Sequence, residues 1–242
     1  MRAIRLLVAL ALLFATAAHA GTLNLRWNAC LGDGGVQNRA FACDTDLESE
    51  QLVASFSLPA AMENVMGVDC FINIDFQGAA LPAWWEFVGA GGACRLTSLV
   101  ATSTLPAGAS SCIDFANFAR DAYFVYQAAP SGPNTARLEV VSPVIPNGFF
   151  PLAAGQEYLA FTLTIDHQKT VGARGCGGCL VPACLGLNPI RLLRQPPDYV
   201  PVFPTSGTTH IATWQGSTIV PFCVGLTPTR PSTWGEVKAL YR

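Results

Sequence analysis

Charged residues are scarce in this sequence, and their scarcity limits the partners that the protein can bind. Only 12% of its 242 residues are charged, with 14 Lys and Arg against 16 Asp and Glu. No run of basic residues breaks this even distribution. Such a surface cannot neutralise many phosphates, so we expect neither nucleic acid nor an anionic membrane as a partner.

Long apolar runs are absent beyond the first twenty residues, and those residues are typical of a secretory signal peptide. Arg2 and Arg5 precede an apolar run that is too short to span a bilayer, and Ala18-His19-Ala20 has the form of a cleavage site. We therefore expect residues 1–20 to be removed. The remaining chain would carry 12 basic and 16 acidic residues, a net charge of −4, and no transmembrane segment.

Helical periodicity is weak, whereas the two-residue alternation of β-strands is frequent. Residues 70 to 76 place an apolar side chain at every second position, and residues 158 to 165 repeat this pattern. The 22 glycines and 17 prolines favour many strands joined by turns. Further strands are predicted at residues 52–58, 96–102, 123–127, 136–141 and 185–193, with a hairpin at 210–221.

Strands that bury one face require a second sheet to cover that face. The sequence therefore predicts an all-β fold, an antiparallel β-sandwich of about eight to ten strands with jelly-roll or Ig/cohesin-like connections. No charged or low-complexity linker divides residues 21–242, so we expect a single domain. Capping-box spacings predict a helical turn within residues 111–120 and a short amphipathic C-terminal helix at 233–242.

Nine cysteines follow the predicted signal peptide, and an oxidising compartment favours disulfide formation. Because nine is odd, at least one cysteine is left over in a monomer. Cys70 lies on the apolar face of its predicted strand and is the candidate for a free, buried thiol. The eight disulfide candidates are Cys30, Cys43, Cys94, Cys112, Cys176, Cys179, Cys184 and Cys223.

Short separations favour pairing Cys30 with Cys43 and Cys94 with Cys112, each bond contributing about 3 kcal/mol on the chain-entropy model. The other four cysteines allow three connectivities. Among these, we prefer Cys179 with Cys184 and Cys176 with Cys223.

The stretch RGCGGCLVPAC, residues 174–184, also has the elements of a zinc or redox site. Its three cysteines and either His167 or Cys223 could supply four zinc ligands. However, zinc knuckles usually contain two C-x-x-C units, and a redox C-x-x-C begins a helix of an α/β fold. We therefore expect a disulfide-stapled loop, and we predict no metal and no cofactor.

Trp84 and Trp85 are the candidate ligand-binding residues. An exposed indole offers a platform for a sugar ring, and Trp27 and Trp214 are further possibilities. Adjacent residues of a strand face opposite sides, so at most one indole of the pair should be exposed. An exposed indole can also serve as part of a protein contact surface or of a covered edge.

An acidic stretch alternates as D-x-D-x-E-x-E at Asp44, Asp46, Glu48 and Glu50. Calcium would use such oxygen ligands, but Ser49 stands where an EF-hand loop requires glycine. We interpret the stretch as solvated. Arg191, Arg194 and Arg230 are likewise interpreted as solvated surface.

Asp166-His167 is the one pair typical of hydrolytic chemistry, with Ser206 or Ser217 as a nucleophile. The G-x-S-x-G motif of hydrolases is absent from the sequence, and so is the strand-to-helix turn that this motif requires. We predict no catalytic residue, and an exported hydrolase is the third hypothesis for function.

Several segments resemble a group of known sequences. These are LPAWWEF, CRLTSL, KTVGARGCGGCLVPAC, HIATWQG and the terminal TPTRPSTWGEVKALYR. Together they resemble uncharacterised exported, cysteine-containing bacterial proteins with a TWGxxKxLYR-like C-terminal tail. The resemblance implies export and carries over no functional residue. At the level of fold alone, the expected sandwich is similar to cohesin-like and carbohydrate-binding modules.

The leading hypothesis is a secreted, non-enzymatic structural, adhesive or interaction module of the bacterial envelope or exterior. Its partner would be a cell-surface protein or a glycan. The alternative hypothesis is a carbohydrate-binding domain that uses an exposed tryptophan.

Overall fold

The computed structural model describes residues 21–87, 93–114, 122–143, 149–195, 198–204 and 209–216. These residues form thirteen strands and two 3₁₀ turns, Leu31–Asp33 and Ala83–Trp85. The strands are β1 (Thr22–Trp27), β2 (Asn38–Arg39), β3 (Ser49–Ser57), β4 (Met62–Phe76), β5 (Leu99–Thr102), β6 (Tyr123–Ala128), β7 (Thr135–Pro143), β8 (Phe150–Leu152), β9 (Glu157–Asp166), β10 (Ala183–Leu187), β11 (Ile190–Arg194), β12 (Asp198–Val202) and β13 (Ile211–Trp214). The predicted all-β class is confirmed.

The strands assemble into two sheets that pack face to face as a sandwich. The small sheet has the order β1-β3-β9-β5. The large sheet has nine strands, and its pairs are antiparallel except for the parallel pair β13–β2. A continuous cluster of buried side chains from both sheets fills the space between them.

Strand β4 organises the large sheet because it is 15 residues long and pairs along both edges. One edge carries β7 and β8, and the other carries β10 and β11. Cys70, Ile72 and Ile74 point into the core, as the alternation predicts, whereas Phe71 and Asn73 point outward and are only partly buried. The outward side chains of β4 thus lie at the centre of the opposite face of the sheet.

Two of the sequence predictions need correction in this region. The predicted strand 185–193 is two strands, β10 and β11, separated at Asn188-Pro189. Proline lacks the N–H that would continue the β4 ladder, so the strand ends there. The predicted hairpin begins with β13 and a Gln215-Gly216 turn with φ values of 65° and 59°, but residues 217–221 lie outside the described part.

Other predictions fall wholly or partly outside the described residues. These are the signal peptide at 1–20, the C-terminal helix at 233–242 and most of the helical turn at 111–120. Residues 111–114 are described and are not helical. No helix of the described ranges is both long and apolar enough to cross a bilayer.

Candidate functional site

Three disulfides join parts of the chain that are far apart in sequence. They are Cys30–Cys112, Cys43–Cys179 and Cys94–Cys176, with separations of 82, 136 and 82 residues. These six cysteines were correctly predicted to form disulfides, but the short-range pairs Cys30–Cys43 and Cys94–Cys112 are wrong. Loop-closure entropy favours near neighbours in the unfolded chain, whereas the sandwich brings distant loops together.

The pairing preferred for the last four cysteines is also wrong. Cys176 and Cys179 are bonded to Cys94 and Cys43, so neither is available to Cys223 or Cys184. Cys184 is itself disulfide-bonded, and Cys223 lies outside the described residues. Cys70 is free and buried, and burial raises the pKa of its thiol well above the ordinary value.

The three disulfides form one closed circuit. Its covalent path runs along the chain from Cys30 to Cys43 and crosses a disulfide to Cys179. It then runs along the chain to Cys176, crosses to Cys94, runs along the chain to Cys112 and returns through a disulfide to Cys30. The three segments span 13, 18 and 3 residues, about 34 in all. Each disulfide therefore closes the same short ring when the other two are present.

The cysteine loop, residues 174–184, is a structural staple. Two different disulfides engage the sulfurs of Cys176 and Cys179, so these residues form neither a C-x-x-C redox pair nor zinc ligands. The loop is held over the core because the Trp214 indole donates to the Cys179 carbonyl at 2.6 Å. Gly178 adopts a φ of +112°, and a Cβ there would lie 2.4 Å from the Cβ of Pro82.

Trp84 and Trp85 are buried, so their prediction as an exposed sugar platform is wrong. Their exposed fractions are 0% and 1%. They lie in a 3₁₀ turn rather than a strand, and both indoles pack against Trp214 with ring centroids 5.0 and 5.4 Å away. Trp27 is fully buried in the same aromatic cluster, and its ring contacts that of Trp214.

A buried guanidinium braces this aromatic cluster. Arg95 lies over the Trp84 ring, with Cζ 3.6 Å from the centroid, and donates to the Trp84 and Gln168 carbonyls. Burial lowers the pKa of Arg95 to about 10, so it stays charged at neutral pH. Cation–π contacts and charge-assisted hydrogen bonds are strong in such a desolvated position. Arg95 therefore has a structural role.

His167 is fully buried beside the same cluster, and its position does not suit general acid–base chemistry. Neither ring nitrogen has a hydrogen-bond partner, and Glu50 Oε1 is 4.0 Å from Nε2, beyond hydrogen-bond distance. Burial and the charge of Arg95 lower the pKa of His167. The proposed nucleophiles Ser206 and Ser217 lie outside the described residues.

The acidic stretch at residues 44–50 is divided among separate structural roles. Asp46 accepts hydrogen bonds from the backbone amides of Thr170 and Val171, at 2.8 and 2.9 Å, and so fixes the turn after β9. Glu50 lies in β3 and is buried. The prediction of a uniformly solvated stretch is therefore wrong for Asp46 and Glu50.

Asp33 stabilises the contact between the turn at Leu31–Asp33 and the loop that leads to Cys112. Its carboxylate accepts hydrogen bonds from Ser110 and Ser111 at 2.8 to 3.1 Å. Desolvation raises the pKa of Asp33, but these hydrogen bonds outweigh that effect and lower it to about 2. Asp33 also lies near Cys30 and Cys112, but those sulfurs are bonded to each other and are not free to hold a metal.

The candidate functional site is a groove on the outward face of the large sheet, which we call the sheet groove. It has a volume of about 300 Å³. Four strands and the β10–β11 connection supply its walls. The lining residues are Phe71, Arg137, Asn188, Pro189, Arg191, Tyr199, Pro201 and Phe203.

Strand alternation explains why these side chains meet. On the edge strand β12, Tyr199 and Pro201 have the same parity, and Phe203 continues this side of the chain. Pro201 is paired with Arg191 of β11, which is in turn paired with Asp69 of β4. Residues paired across an antiparallel ladder share a face, so one surface collects residues from distant sequence positions.

Aromatic side chains dominate one side of the sheet groove. Tyr199 and Phe203 have exposed fractions of 59% and 57%, and Phe71 forms part of the floor. The Arg191 guanidinium carbon lies 5.1 Å from the Phe71 ring centroid and 5.9 Å from that of Tyr199. Arg191 thus makes cation–π contacts with both rings.

Planar polar groups border the other side. Arg137 Nε donates to Asn73 Oδ1 at 2.8 Å, and Asn73 Nδ2 lies 3.5 Å from Asn188 Oδ1. The Asn188 side chain also donates to the Phe71 carbonyl. This chain of contacts holds the amide and the guanidinium in fixed orientations at the border of the groove.

Two carboxylates offset the charge of Arg191. Arg191 forms an ion pair with Asp69, and Glu139 Oε1 lies 3.7 Å from the same guanidinium. Arg191, one of the two arginines that line the groove, thus lies against two carboxylates that are not lining residues. The earlier interpretation of Arg191 as solvated surface is incorrect, because it joins an ion-pair network and two aromatic rings.

Sequence reasoning missed the sheet groove. One signal was present, because Tyr199, Pro201 and Phe203 alternate with Val200 and Val202 in the manner of a strand. The pairing of β12 with β11 and of β11 with β4 could not be inferred from that alternation. Comparisons with known protein families and with curated protein sequences find no match for this chain.

Proposed function

We propose that this protein is an exported, non-enzymatic interaction module that binds a partner through the sheet groove. The single observation that carries the proposal is the pair of exposed rings at Tyr199 and Phe203, held beside fixed polar groups on a rigid sheet. Binding sites typically combine aromatic walls with a few oriented polar groups.

The disulfides support the exported part of the proposal. Three cross-links between distant loops are consistent with an oxidising compartment, outside the cell or in its envelope. The predicted signal peptide leads to the same location. A partner at the cell surface would be within reach of a protein in either place.

The titratable groups support a binding role over a catalytic one. Burial lowers the pKa of both His167 and His210, which favours the neutral imidazole. Beside the sheet groove, the carboxylate of Asp69 forms an ion pair with Arg191. The ordered groups of the groove are thus suited to holding a ligand.

The test is binding of the purified protein to envelope preparations from the producing organism. We expect saturable binding by the unaltered protein and loss of most binding by a Tyr199→Ala/Phe203→Ala variant. Tyr123→Ala is the matched control, because Tyr123 is 67% exposed on β6 and does not line the groove. Equal binding by all three proteins, or binding by none, would overturn the proposal.

A further inference from the structure

The sheet groove continues past the edge strand into a second cleft. This edge cleft has a volume of about 270 Å³ and is mainly apolar, with Pro59, Met62 and Val200 among its lining residues. Pro201 and Phe203 line both the sheet groove and the edge cleft. The two depressions therefore share a wall, and an extended ligand could contact both.

The chemistry of the sheet groove matches the two faces of a sugar ring. A pyranose has an apolar C–H face and a border of hydroxyl groups that both donate and accept hydrogen bonds. The ring faces of Tyr199 and Phe203 suit the C–H face. The Arg137 guanidinium and the Asn188 amide, fixed through Asn73, suit the hydroxyls.

The compensated charge of Arg191 favours a neutral ligand. Arg137 and Arg191 line the groove, and Asp69 and Glu139, which are not lining residues, lie against Arg191 and offset its charge. An acidic polymer would therefore gain little from Arg191 and would be repelled by the two carboxylates beside it. A ligand without charge loses no ionic hydration on entering the groove.

The edge strand argues against an extended peptide as the occupant. Peptides commonly bind to sheets by adding a strand to a free edge, where backbone N–H groups pair with them. Strand β12 is at the edge of the large sheet and contains Pro201, which has no N–H. The aromatic rings also lie on the face of the sheet rather than along its edge.

We propose that the ligand of the sheet groove is a neutral polysaccharide, with one sugar ring stacked on Tyr199, another on Phe203 about 13 Å along the strand, and the chain continuing into the edge cleft. This inference rests on the proposed function and names its ligand class. It assigns carbohydrate binding to Tyr199 and Phe203 in place of the buried Trp84 and Trp85.

The first experiment is affinity electrophoresis of the purified protein in gels containing one polysaccharide each. The neutral probes are xylan, mannan, hydroxyethyl cellulose and glycol chitin, and the acidic probe is polygalacturonate. We expect retardation by at least one neutral polymer. A parallel sedimentation assay with insoluble xylan, mannan, cellulose and chitin should show binding that persists in about 1 M NaCl, where the Debye length is only about 3 Å.

Variants connect that binding to the groove. Tyr199→Ala should weaken the affinity about tenfold or more, the effect expected from truncating an aromatic residue that dominates a binding site. Phe203→Ala should act in the same direction, and Tyr123→Ala should bind like the unaltered protein. Circular dichroism and thermal unfolding check that each variant is folded.

Three results would overturn the inference. They are retardation by polygalacturonate alone, retardation by none of the polymers, and unchanged affinity of both Tyr199→Ala and Phe203→Ala. Periodate and protease treatment of the envelope preparations separates this inference from the proposed function. Binding that depends on the groove but survives periodate and is abolished by protease would preserve the interaction module and exclude a carbohydrate ligand. Absence of envelope binding would reject the proposed function itself.

Discussion

The closed disulfide circuit predicts that three different disulfides stabilise the protein by the same amount. The perturbation replaces one pair at a time with alanine, Cys30 with Cys112, Cys43 with Cys179, or Cys94 with Cys176. Separations of 82 and 136 residues would, for isolated bonds, give about 4.5 and 5 kcal/mol on the chain-entropy model. With the other two bonds intact, however, each bond closes a ring of about 34 residues.

A ring of that size gives a contribution of about 4 kcal/mol for every pair. This amount is a large share of the total stability of about 5–15 kcal/mol that folded domains have. For a chain of this length, it lowers Tm by about 8–16 °C. Each further pair removed should cost slightly more, up to about 5 kcal/mol for the last, because the remaining rings are larger.

Urea unfolding under non-reducing conditions, followed by tryptophan fluorescence, measures these differences. The buried indoles of Trp84 and Trp214 report on the packed core. The free energies must be extrapolated to water, because removing a cross-link expands the unfolded chain and changes the slope m. The Cys70→Ala variant controls for loss of a cysteine without loss of a disulfide.

Two results would refute the circuit. One is a more than twofold difference among the three single-pair variants, which would mean that local packing decides the effect. The other is a second pair whose removal lowers the free energy of unfolding by less than half as much as removal of the first pair. That result would mean that losing the first pair already loosens the folded protein, so that the entropy of the unfolded chain does not explain the stabilisation.

Three further predictions concern single residues. Gly178→Ala should lower the free energy of unfolding, measured in urea, by about 2 kcal/mol or more, because Gly178 has a φ of +112° and a Cβ there would meet Pro82. The control is Gly177→Ala, because a Cβ at Gly177 has nothing within 4 Å. This variant should change the free energy of unfolding by less than about 1 kcal/mol. Since the pKa of His167 is lowered in the folded state, its neutral form contributes stability that is complete above about pH 6.5 and declines below it; His167→Gln should show a flatter decline between pH 7.5 and 5.5. Asp33, with a pKa of about 2, contributes stability above about pH 4 that is lost as the pH falls towards 2, and acid unfolding of Asp33→Asn should lack that portion.

Local periodicity is sufficient to predict most strands but not the contacts between them. The alternation at residues 70–76 and 158–165 correctly predicts parts of β4 and β9, because one face of each strand is buried. Strand geometry predicts that one of Trp84 and Trp85 is buried and at most one is exposed, but the two residues lie in a 3₁₀ turn. In that turn, both indoles can enter the core.

The candidate site was beyond the reach of sequence patterns because its parts are brought together by strand order. Phe71 lies on β4, Arg137 on β7 and Tyr199 on β12, and each has an unremarkable local context. The disulfides were mispaired for the same reason, since chain separation alone cannot show which loops meet at one end of a sandwich. The free thiol of Cys70 could be predicted, because the strand alternation around Cys70 and the odd number of cysteines are both properties of the sequence itself.

The burial of Cys70 has a consequence for how the chain acquires its cross-links. Exchange between sulfurs proceeds by attack of an ionised thiol, so any accessible ninth cysteine can capture a neighbour and generate a wrong isomer. In the folded protein, Cys70 is fully buried in the core between the two sheets and the pKa of its thiol is raised, so it is withdrawn from this chemistry. Packing of the two sheets around Cys70 therefore protects the disulfides from exchange with this thiol.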